Sequence, residues 1–255
     1  MNAYLAELIG TAFLILLGNG VVANVVLTRT KGHAGGWIVI TAGWGIGVFV
    51  GAFCSQQYSG AHLNPAVTAA MVIADKLPWN EAGGYLVCQM LGGMLGATLV
   101  YLFYRDHYKA TEDSDAKLAT FCTAPAVRNL PHACFCELVA TFALVFPIFL
   151  MADPQLQLPV SSLGGDPADL PRLGLGSLGL LPVGLLVFGI GLSLGGTSGY
   201  AINPARDLAP RLMHWVLPIP GKRDSDWAYA WVPVLGPLAG GSVAALAYLL
   251  LIQAK

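Results

Sequence analysis

The same short polar element occurs twice in a strongly apolar chain. Residues 59–66 read Ser-Gly-Ala-His-Leu-Asn-Pro-Ala and residues 198–205 read Ser-Gly-Tyr-Ala-Ile-Asn-Pro-Ala, so five of the eight positions are identical. Each copy interrupts a hydrophobic stretch. Matched polar breaks of this kind are typical of membrane proteins that build one site from two symmetric halves. The pair therefore predicts a single site at membrane depth to which both halves of the chain contribute.

The composition indicates a membrane protein. Hydrophobic residues make up 56% of the 255 residues and charged residues 11%, whereas a soluble domain has about 25% charged residues. The formal net charge of −1 gives no indication of a nucleic-acid partner. The five cysteines lie without metal-ligand spacing. We therefore expect neither a metal site nor a cofactor.

Six apolar segments are long enough to cross a bilayer, which takes about 20 residues. Two shorter apolar stretches, 65–75 and 204–216, follow the motifs and are too short to cross. The order is therefore span, span, half-span, span, and then the same again. The predicted spans are 4–27, 36–54, 82–104, 133–152, 174–195 and 231–252.

A second matched element relates the two halves. The pattern Glu-Leu-x-x-Thr opens the first span at Glu7 and the fourth span at Glu137. Three spans separate each element from its copy, and an odd number inverts the second half relative to the first. The segment 153–173, rich in Pro, Gly and Leu, is expected to be a loop. The predicted organisation is a single membrane channel domain over 1–255, with a first repeat (1–104), a charged linker (105–132) and a second repeat (133–255).

Asn-Pro at the start of an apolar helix is typical of a capped N-terminus. The Asn side-chain oxygen accepts a backbone N–H of the first turn, and Pro fits the first helical position because its missing N–H is not needed there. We expect the amide NH2 of each Asn to be free to point outward, and the small Ala to let the two helix ends touch. The residues are Asn64, Pro65 and Ala66 in the first motif and Asn203, Pro204 and Ala205 in the second.

Two helix N-termini that face each other make a positive site at the midplane, because each carries about +0.5 elementary charge. Such a site repels cations, and two aimed amide donors interrupt a chain of water molecules that would conduct protons. The irregular residues before each Asn expose carbonyls, which is tolerated in a membrane only around a wet cavity. The expected pore-lining loops are Gly60, Ala61, His62 and Leu63, and Gly199, Ala201 and Ile202.

With these motifs the chain resembles the major intrinsic proteins, the aquaporins and glycerol facilitators, over about residues 3–252. The two Asn-Pro-Ala motifs, with Arg206 after the second, carry the resemblance. It implies an all-α membrane protein with an aquaporin-like inverted repeat: six transmembrane helices, two re-entrant half-helices, and one pore per subunit of a homotetramer. It also implies that His62 lines the pore and that Glu7, Glu137 and Asp207 support the loops. The alternative for the two glutamates is contact with lipid headgroups.

The resemblance further implies a selectivity filter formed by Trp44, Gly191, Tyr200 and Arg206. Water-selective members carry His where this chain has Gly191, so the ring is expected to be wider and less polar. Trp44 and Tyr200 then form an aromatic corner for a carbon backbone, and Arg206 donates to hydroxyls. Glycerol facilitators usually carry Phe where Tyr200 stands. The extra hydroxyl either reaches the lumen, which we expect, or points into the protein.

Asp207 directly after the filter arginine, and Arg211 four residues on, also resemble the glycerol-conducting branch. The implied function is a passive channel for glycerol, other small polyols and urea that also passes water and excludes protons and ions. A water-selective channel of the same fold is the alternative, against which Gly191 and Asp207 argue. A coupled secondary transporter is a third possibility, but it needs an ionisable group at the midplane, where Asn64 and Asn203 are neutral. No set of catalytic residues indicates an enzyme.

The distribution of charged residues and the resemblance to the family predict opposite orientations of the chain in the membrane. The resemblance implies an integral protein of the cell (inner) membrane with both termini in the cytoplasm. Most Lys and Arg residues then lie outside, against the positive-inside rule, but the long linker 105–132 counts little in that rule. We therefore expect the topology of the family. The tryptophans that fit an aromatic belt at the membrane interfaces are Trp37, Trp79, Trp215, Trp227 and Trp231.

Overall fold

The computed structural model describes residues 1–152, 155–156 and 173–253, and most of these residues are helical. Six helical segments are long and apolar enough to cross a membrane, which confirms the predicted number and order of spans. Their bounds are Ala3–Val26, Trp37–Ser59, Trp79–Phe103, Leu130–Leu150, Gly176–Leu194 and Val232–Leu251. Each agrees with its predicted span to within a few residues.

The α-helices of the described residues are numbered in chain order. They are α1 (Ala3–Val26), α2 (Trp37–Ser59), α3 (Pro65–Ile73), α4 (Trp79–Phe103), α5 (Arg105–Ala110), α6 (Ser114–Ala119), α7 (Leu130–Leu150), α8 (Leu181–Leu194), α9 (Pro204–Val216) and α10 (Val232–Tyr248). A 3-10 turn, Gly176–Leu180, leads into α8, and a π-turn, Leu249–Gln253, follows α10. Two short antiparallel strands, β1 (Gln155–Leu156) and β2 (Leu173–Gly174), pair between α7 and α8. Most of the loop predicted over 153–173 lies outside the described residues.

The half-helices α3 and α9 each pack against the last helix of the other half. At Gly241 of α10 an added Cβ would lie 2.8 Å from the carbonyl oxygen of Ala66 in α3. At Gly93 of α4 it would lie 2.8 Å from Cβ of Ala209 in α9. Both half-helices therefore approach a neighbouring backbone closely. Each half of the chain therefore packs its half-helix against the other half, near the middle of the bundle.

The bundle has two distinct faces. At the linker face, which carries residues 104–129 and 217–231, the Thr28 hydroxyl after α1 donates to the carbonyl oxygen of Ala110 at 2.9 Å. At the termini face, Tyr4 packs edge-on against Tyr85, with ring centroids 6.0 Å apart. Tyr248, close to the other chain end, lies under the ammonium of Lys76 at the same face. Both ends of the described chain therefore lie on the face opposite the linker.

The first and last spans of each half cross in close contact at glycines, and Gly92 and Gly240 come nearest to the partner backbone. An added Cβ at Gly92 of α4 would lie 2.3 Å from the carbonyl oxygen of Leu8 in α1. At Gly240 of α10 it would lie 2.2 Å from the carbonyl oxygen of Leu138 in α7. Backbone oxygens cannot move aside without displacing the helix. The two crossings therefore place Glu7 and Glu137, which precede the contacted residues, in the interior of the bundle.

We expect Gly92→Ala to lower stability by about 1–3 kcal/mol, the range for overpacking a tight contact. Gly83→Ala is the matched control, because it lies in the same helix and an added Cβ there meets nothing within 4 Å. Thermal unfolding of the detergent-purified variants measures the difference. Equal melting temperatures for the two variants would show that the α1–α4 crossing tolerates a methyl group.

Candidate functional site

The two half-helices begin at capped asparagines deep in the protein. Asn64 Oδ1 accepts from the Ala66 backbone N–H at 2.8 Å, and Asn203 Oδ1 accepts from those of Ala205 and Arg206 at 2.9 and 3.1 Å. Pro occupies the first turn in both helices. Both asparagines line the same cavity. Two positive helix ends thus border one internal space.

The asparagine amides also join the two loops, which corrects the expectation that they are free. Asn64 Nδ2 donates to the carbonyl oxygen of Ile202 at 2.8 Å, and Asn203 Nδ2 donates to that of Leu63 at 2.7 Å. An amide NH2 carries two hydrogens, so each Asn retains one for the cavity. The reciprocal bonds explain how the halves are held in register at the midplane.

The residues before each Asn adopt a strained backbone with the same pattern in both loops. Left-handed φ angles are uncommon for residues other than Gly and cost about 1–3 kcal/mol each. The carbonyls of residues 60–62 and 199–201 accept no hydrogen bond from the described residues. They are therefore available to polar molecules in the cavity. The positive φ angles are Gly60 80°, Ala61 54° and Leu63 52°, and Gly199 84°, Tyr200 37° and Ile202 46°.

Two fully buried carboxylates hold these loops in place. Glu7 accepts from the backbone N–H groups of His62 and Leu63 at 2.9 and 2.7 Å, and from the hydroxyl of Ser59 at 2.6 Å. Glu137 makes the matching bonds in the second half, to Ala201, Ile202 and Ser198, at 2.9, 2.8 and 2.6 Å. Neither side chain is exposed to a headgroup region, since both are 0% accessible.

Gln89, which was not among the site residues predicted from the sequence, supports the first loop. Its Nε2 donates to Glu7 at 2.8 Å and to the Thr68 hydroxyl at 2.9 Å. That hydroxyl also lies 3.2 Å from Nδ1 of His62, which lines the cavity. Gln89 therefore links the carboxylate to the pore-lining histidine. A glutamine in the middle of an apolar span was the available signal.

Two cavities approach each other from opposite faces of the protein. One, of about 280 Å³, reaches from the termini face past both asparagines. The other, of about 580 Å³, opens at the linker face. Trp44, Tyr200 and Arg206 line both cavities, so these three side chains form the constriction between them. Gly191 lines neither cavity but packs directly behind Tyr200.

The guanidinium of Arg206 stacks on the indole of Trp44, with its carbon 4.0 Å from the ring centroid. The indole also packs against Gly18, where an added Cβ would come within 2.2 Å of the ring. The guanidinium of Arg206 lines both cavities and makes no hydrogen bond with the described residues, and its Nη1 is buried. The constriction therefore contains a donor that no protein group in the described chain satisfies.

Asp207 is paired with Arg211, not with its neighbour Arg206. Arg211 Nε donates to Asp207 Oδ1 at 2.8 Å, and both side chains are fully buried. Asp207 Oδ2 accepts from the backbone N–H and the hydroxyl of Thr123, both at 2.7 Å. Asp207 thus anchors the linker beside the constriction, which leaves Arg206 available to the pore. Thr123 was not among the site residues predicted from the sequence.

The space beside Gly191 is occupied by Tyr200, which corrects the expectation that this glycine widens the ring. An added Cβ at Gly191 would lie 2.9 Å from both Cζ and Oη of Tyr200. The hydroxyl is buried and has no partner among the described residues. It therefore points into the protein, against our expectation that it reaches the lumen.

An ion pair between Arg128 and Asp226 lies at the entrance of the cavity that opens at the linker face. Arg128 donates to both oxygens of Asp226 at 2.8 Å, which connects the linker to the loop before α10. Hydrogen bonds from Arg128 lower the pKa of Asp226 below its ordinary value of 3.8. The carboxylate therefore stays ionised near neutral pH and keeps its charge opposite to that of Arg128 at the entrance of this cavity.

The fold and the site together define a class of protein. Six membrane-spanning helices enclose two half-helices whose N-termini meet, and two cavities from opposite faces join at one polar and aromatic constriction. This is the architecture of a membrane channel with an inverted repeat. The family model described as "Major intrinsic protein" matches residues 1–248. The chain belongs to the major intrinsic protein family, which confirms the resemblance and the prediction of a channel, not an enzyme.

Relatives match almost the whole chain. A probable glycerol uptake facilitator protein of Thermotoga maritima is 50% identical over 97% of this chain and 98% of its own. A glycerol uptake facilitator protein of Streptococcus pneumoniae is 48% identical over the same shares. Among solved structures, the aquaglyceroporin from Plasmodium falciparum has a TM-score of 0.78 and 30% identity, and the match covers 96% of this chain and 93% of that one. These likenesses confirm the aquaporin-like fold.

Replacement of Glu137 by Gln tests the loop support. A Gln side chain keeps one acceptor oxygen but turns an NH2 group toward backbone donors, so a buried N–H loses its partner. We expect the free energy of unfolding to fall by about 1–3 kcal/mol, and we expect the solute flux to fall as well. Thermal unfolding and proteoliposome assays measure both, with Glu81→Gln at the start of α4 as the control. A Glu137→Gln protein as stable and active as this control would contradict the role of the carboxylate.

We expect Tyr200→Phe to leave stability unchanged or higher, because the deleted hydroxyl has no partner. Tyr101→Phe is the matched control, since its hydroxyl donates to the Pro218 carbonyl oxygen at 2.9 Å and its loss should cost about 0.5–1.5 kcal/mol. The erythritol-to-glycerol permeability ratio of Tyr200→Phe should stay close to that of the parent protein. A clear rise in that ratio would instead place the hydroxyl in the lumen.

Proposed function

We propose that the chain is a passive channel for glycerol and other small uncharged solutes. The observation that carries the proposal is the constriction, where Trp44 and Tyr200 offer aromatic surface and Arg206, which lines both cavities, offers a guanidinium that makes no hydrogen bond with the described residues. A polyol has carbon atoms on one side and hydroxyls on the other. Such a molecule matches a ring with one apolar and one polar wall. The names of the relatives at 50% and 48% identity support the choice of glycerol.

The cavity between the constriction and the termini face also has one polar wall and one apolar wall. Its polar wall is formed by the carbonyls of the two loops and by the amides of Asn64 and Asn203. Its other wall is apolar and includes Leu14, Val48 and Val187. A solute can exchange one carbonyl for the next as it moves, so that its hydroxyls remain hydrogen-bonded while its carbons stay on the apolar side. This arrangement lowers the barrier that desolvation would otherwise impose.

Exclusion of protons and cations follows from the same elements. The two helix N-termini and the guanidinium of Arg206 give the pore a positive potential that opposes cation entry. The remaining amide hydrogens of Asn64 and Asn203 orient a passing water through its oxygen. A water held in this way cannot pass a proton along the line. Water itself remains small enough to pass, so we propose that it is conducted with glycerol.

Two further properties belong to the proposal. Large apolar side chains remain exposed on the transmembrane helices, among them Ile46, Leu185 and Phe135, and lipid or neighbouring subunits would cover them. We propose a homotetramer in the cell membrane with both termini cytoplasmic, as the resemblance implies. Urea and other small polyols are proposed as additional solutes.

A water-selective channel is the second candidate, and one observation favours it. Tyr200 fills the space beside Gly191, which makes the ring narrower than a glycine at that position implies. Stopped-flow light scattering on proteoliposomes distinguishes the candidates by comparing glycerol, urea and water. Glycerol permeability at the level of protein-free liposomes, together with raised water permeability, would establish the water-selective channel.

We expect glycerol flux to be passive. The side chains that line the cavity include no carboxylate among the described residues, and the buried Glu7 and Glu137 are used by the loops. A coupled transporter needs a titratable group or an ion site that the solute senses. Collapse of a proton or sodium gradient across the proteoliposome should leave the glycerol flux unchanged. Accumulation of glycerol driven by either gradient would contradict the channel.

A further inference from the structure

Trp37 lies at the start of α2, and its side chain lines the cavity that opens at the linker face. Its position near a span end predicted an interfacial anchor. The structure adds a specific bond, because the indole Nε1 donates to the carbonyl oxygen of Gly191 at 2.9 Å. This carbonyl is one of the last four of α8, which have no partner within the helix. The bond therefore ties α2 to α8 directly behind the constriction.

The same indole also supports the ring of Tyr200. The two rings meet edge to face, with centroids 5.8 Å apart and planes at 79°, a favourable geometry for aromatic pairs. Both rings converge on Gly195, where an added Cβ would lie 2.4 Å from Cδ1 of Tyr200 and 2.8 Å from Cζ2 of Trp37. Tyr200 is thus contacted by Gly191, Gly195 and Trp37 on the side of its ring that faces α8.

Tyr200 needs this external support because little else fixes it. Its backbone has a φ of 37°, a strained value for a residue with a Cβ. Its hydroxyl has no hydrogen-bond partner among the described residues. The position of the ring is therefore set by packing, and Trp37 supplies the packing surface that is itself held by a hydrogen bond.

We propose that Trp37 is a positioning residue that sets the width of the constriction by supporting the Tyr200 ring from the α8 side, so that the ring stays at the lumen. This inference rests on the proposed function, since it assigns a role in the selectivity of the same pore. Trp37 acts through Tyr200, and the rings that line the constriction from both sides are Trp44 and Tyr200. Loss of the Trp37 hydrogen bond frees the indole, which allows Tyr200 to retreat from the lumen.

The test compares Trp37→Phe with Trp231→Phe in proteoliposomes. Trp231 is a matched control, because it lies at the linker face, is 41% exposed against 42% for Trp37, and makes no side-chain hydrogen bond with the described residues. We expect Trp37→Phe to raise the erythritol-to-glycerol permeability ratio, because a wider constriction favours the longer polyol. Trp231→Phe should keep the ratio of the parent protein.

A second variant is expected to act in the opposite direction. In Gly195→Ala the new methyl group takes the place of Tyr200 Cδ1, so the ring is pushed toward the lumen. The erythritol-to-glycerol ratio should fall below that of the parent protein. Thermal unfolding of every variant separates a change in selectivity from a change in folding, and Gly195→Ala carries the test if Trp37→Phe does not fold.

Coupling shows whether Trp37 acts through Tyr200. In a Tyr200→Leu background, which lacks the ring, Trp37→Phe should change the ratio no further. A folded Trp37→Phe protein with the same ratio as Trp231→Phe, while glycerol still flows, would overturn the inference and leave the proposed function intact. If the parent protein conducts no glycerol, the proposed function fails. The water permeability of Trp37→Phe, which should exceed that of Trp231→Phe, then decides the position of Tyr200.

Discussion

The carboxylates of Glu7 and Glu137 keep two stretches of irregular backbone open inside a membrane. A carboxylate at membrane depth is unfavourable, and so is a non-helical backbone that has lost its hydrogen bonds to water. Each glutamate satisfies two backbone N–H groups and a serine hydroxyl, so the two unfavourable groups compensate each other. The loop carbonyls are then left facing the cavity, where a solute can use them.

The two halves share this support but differ in what surrounds it. In the first half Gln89 reaches the carboxylate from α4. In the second half the neighbouring carboxylate, Asp207, binds Thr123 and Arg211, so the linker is fastened beside the constriction. The inverted repeat therefore places the two asparagines symmetrically. The constriction formed by Trp44, Tyr200 and Arg206, in contrast, lies only on the linker side of them. Arg206 remains unpaired in the described chain because Arg211 neutralises Asp207.

The constriction is an assembly of close packing more than of hydrogen bonds. Trp44 packs against Gly18 and against the guanidinium of Arg206, and Tyr200 packs against Gly191 of α8 and Gly195 just after that helix. Each aromatic ring thus rests on a position without a side chain, which lets the ring approach the backbone. Small changes behind these rings shift the pore wall, because tightly packed side chains have few other positions available.

Much of the architecture was predictable from the sequence because it depends on local properties. The length of each apolar stretch determined the six spans, and Asn-Pro determined where the half-helices α3 and α9 begin, since capping needs only neighbouring residues. The repeated motif likewise indicated one site made by both halves. The division into repeats at 1–104, 105–132 and 133–255 remains a prediction.

Only the tertiary structure decided how distant residues meet. The Asn64 amide donates to Ile202, Gln89 reaches Glu7, and the Trp37 indole binds Gly191, and none of these pairs is near in sequence. The direction of the Tyr200 hydroxyl likewise depends on Gly191 of α8 and Gly195 just after it, which have no side chain and leave room for the ring. Such contacts depend on the relative placement of helices to within about an ångström, which hydrophobic length and local capping do not specify.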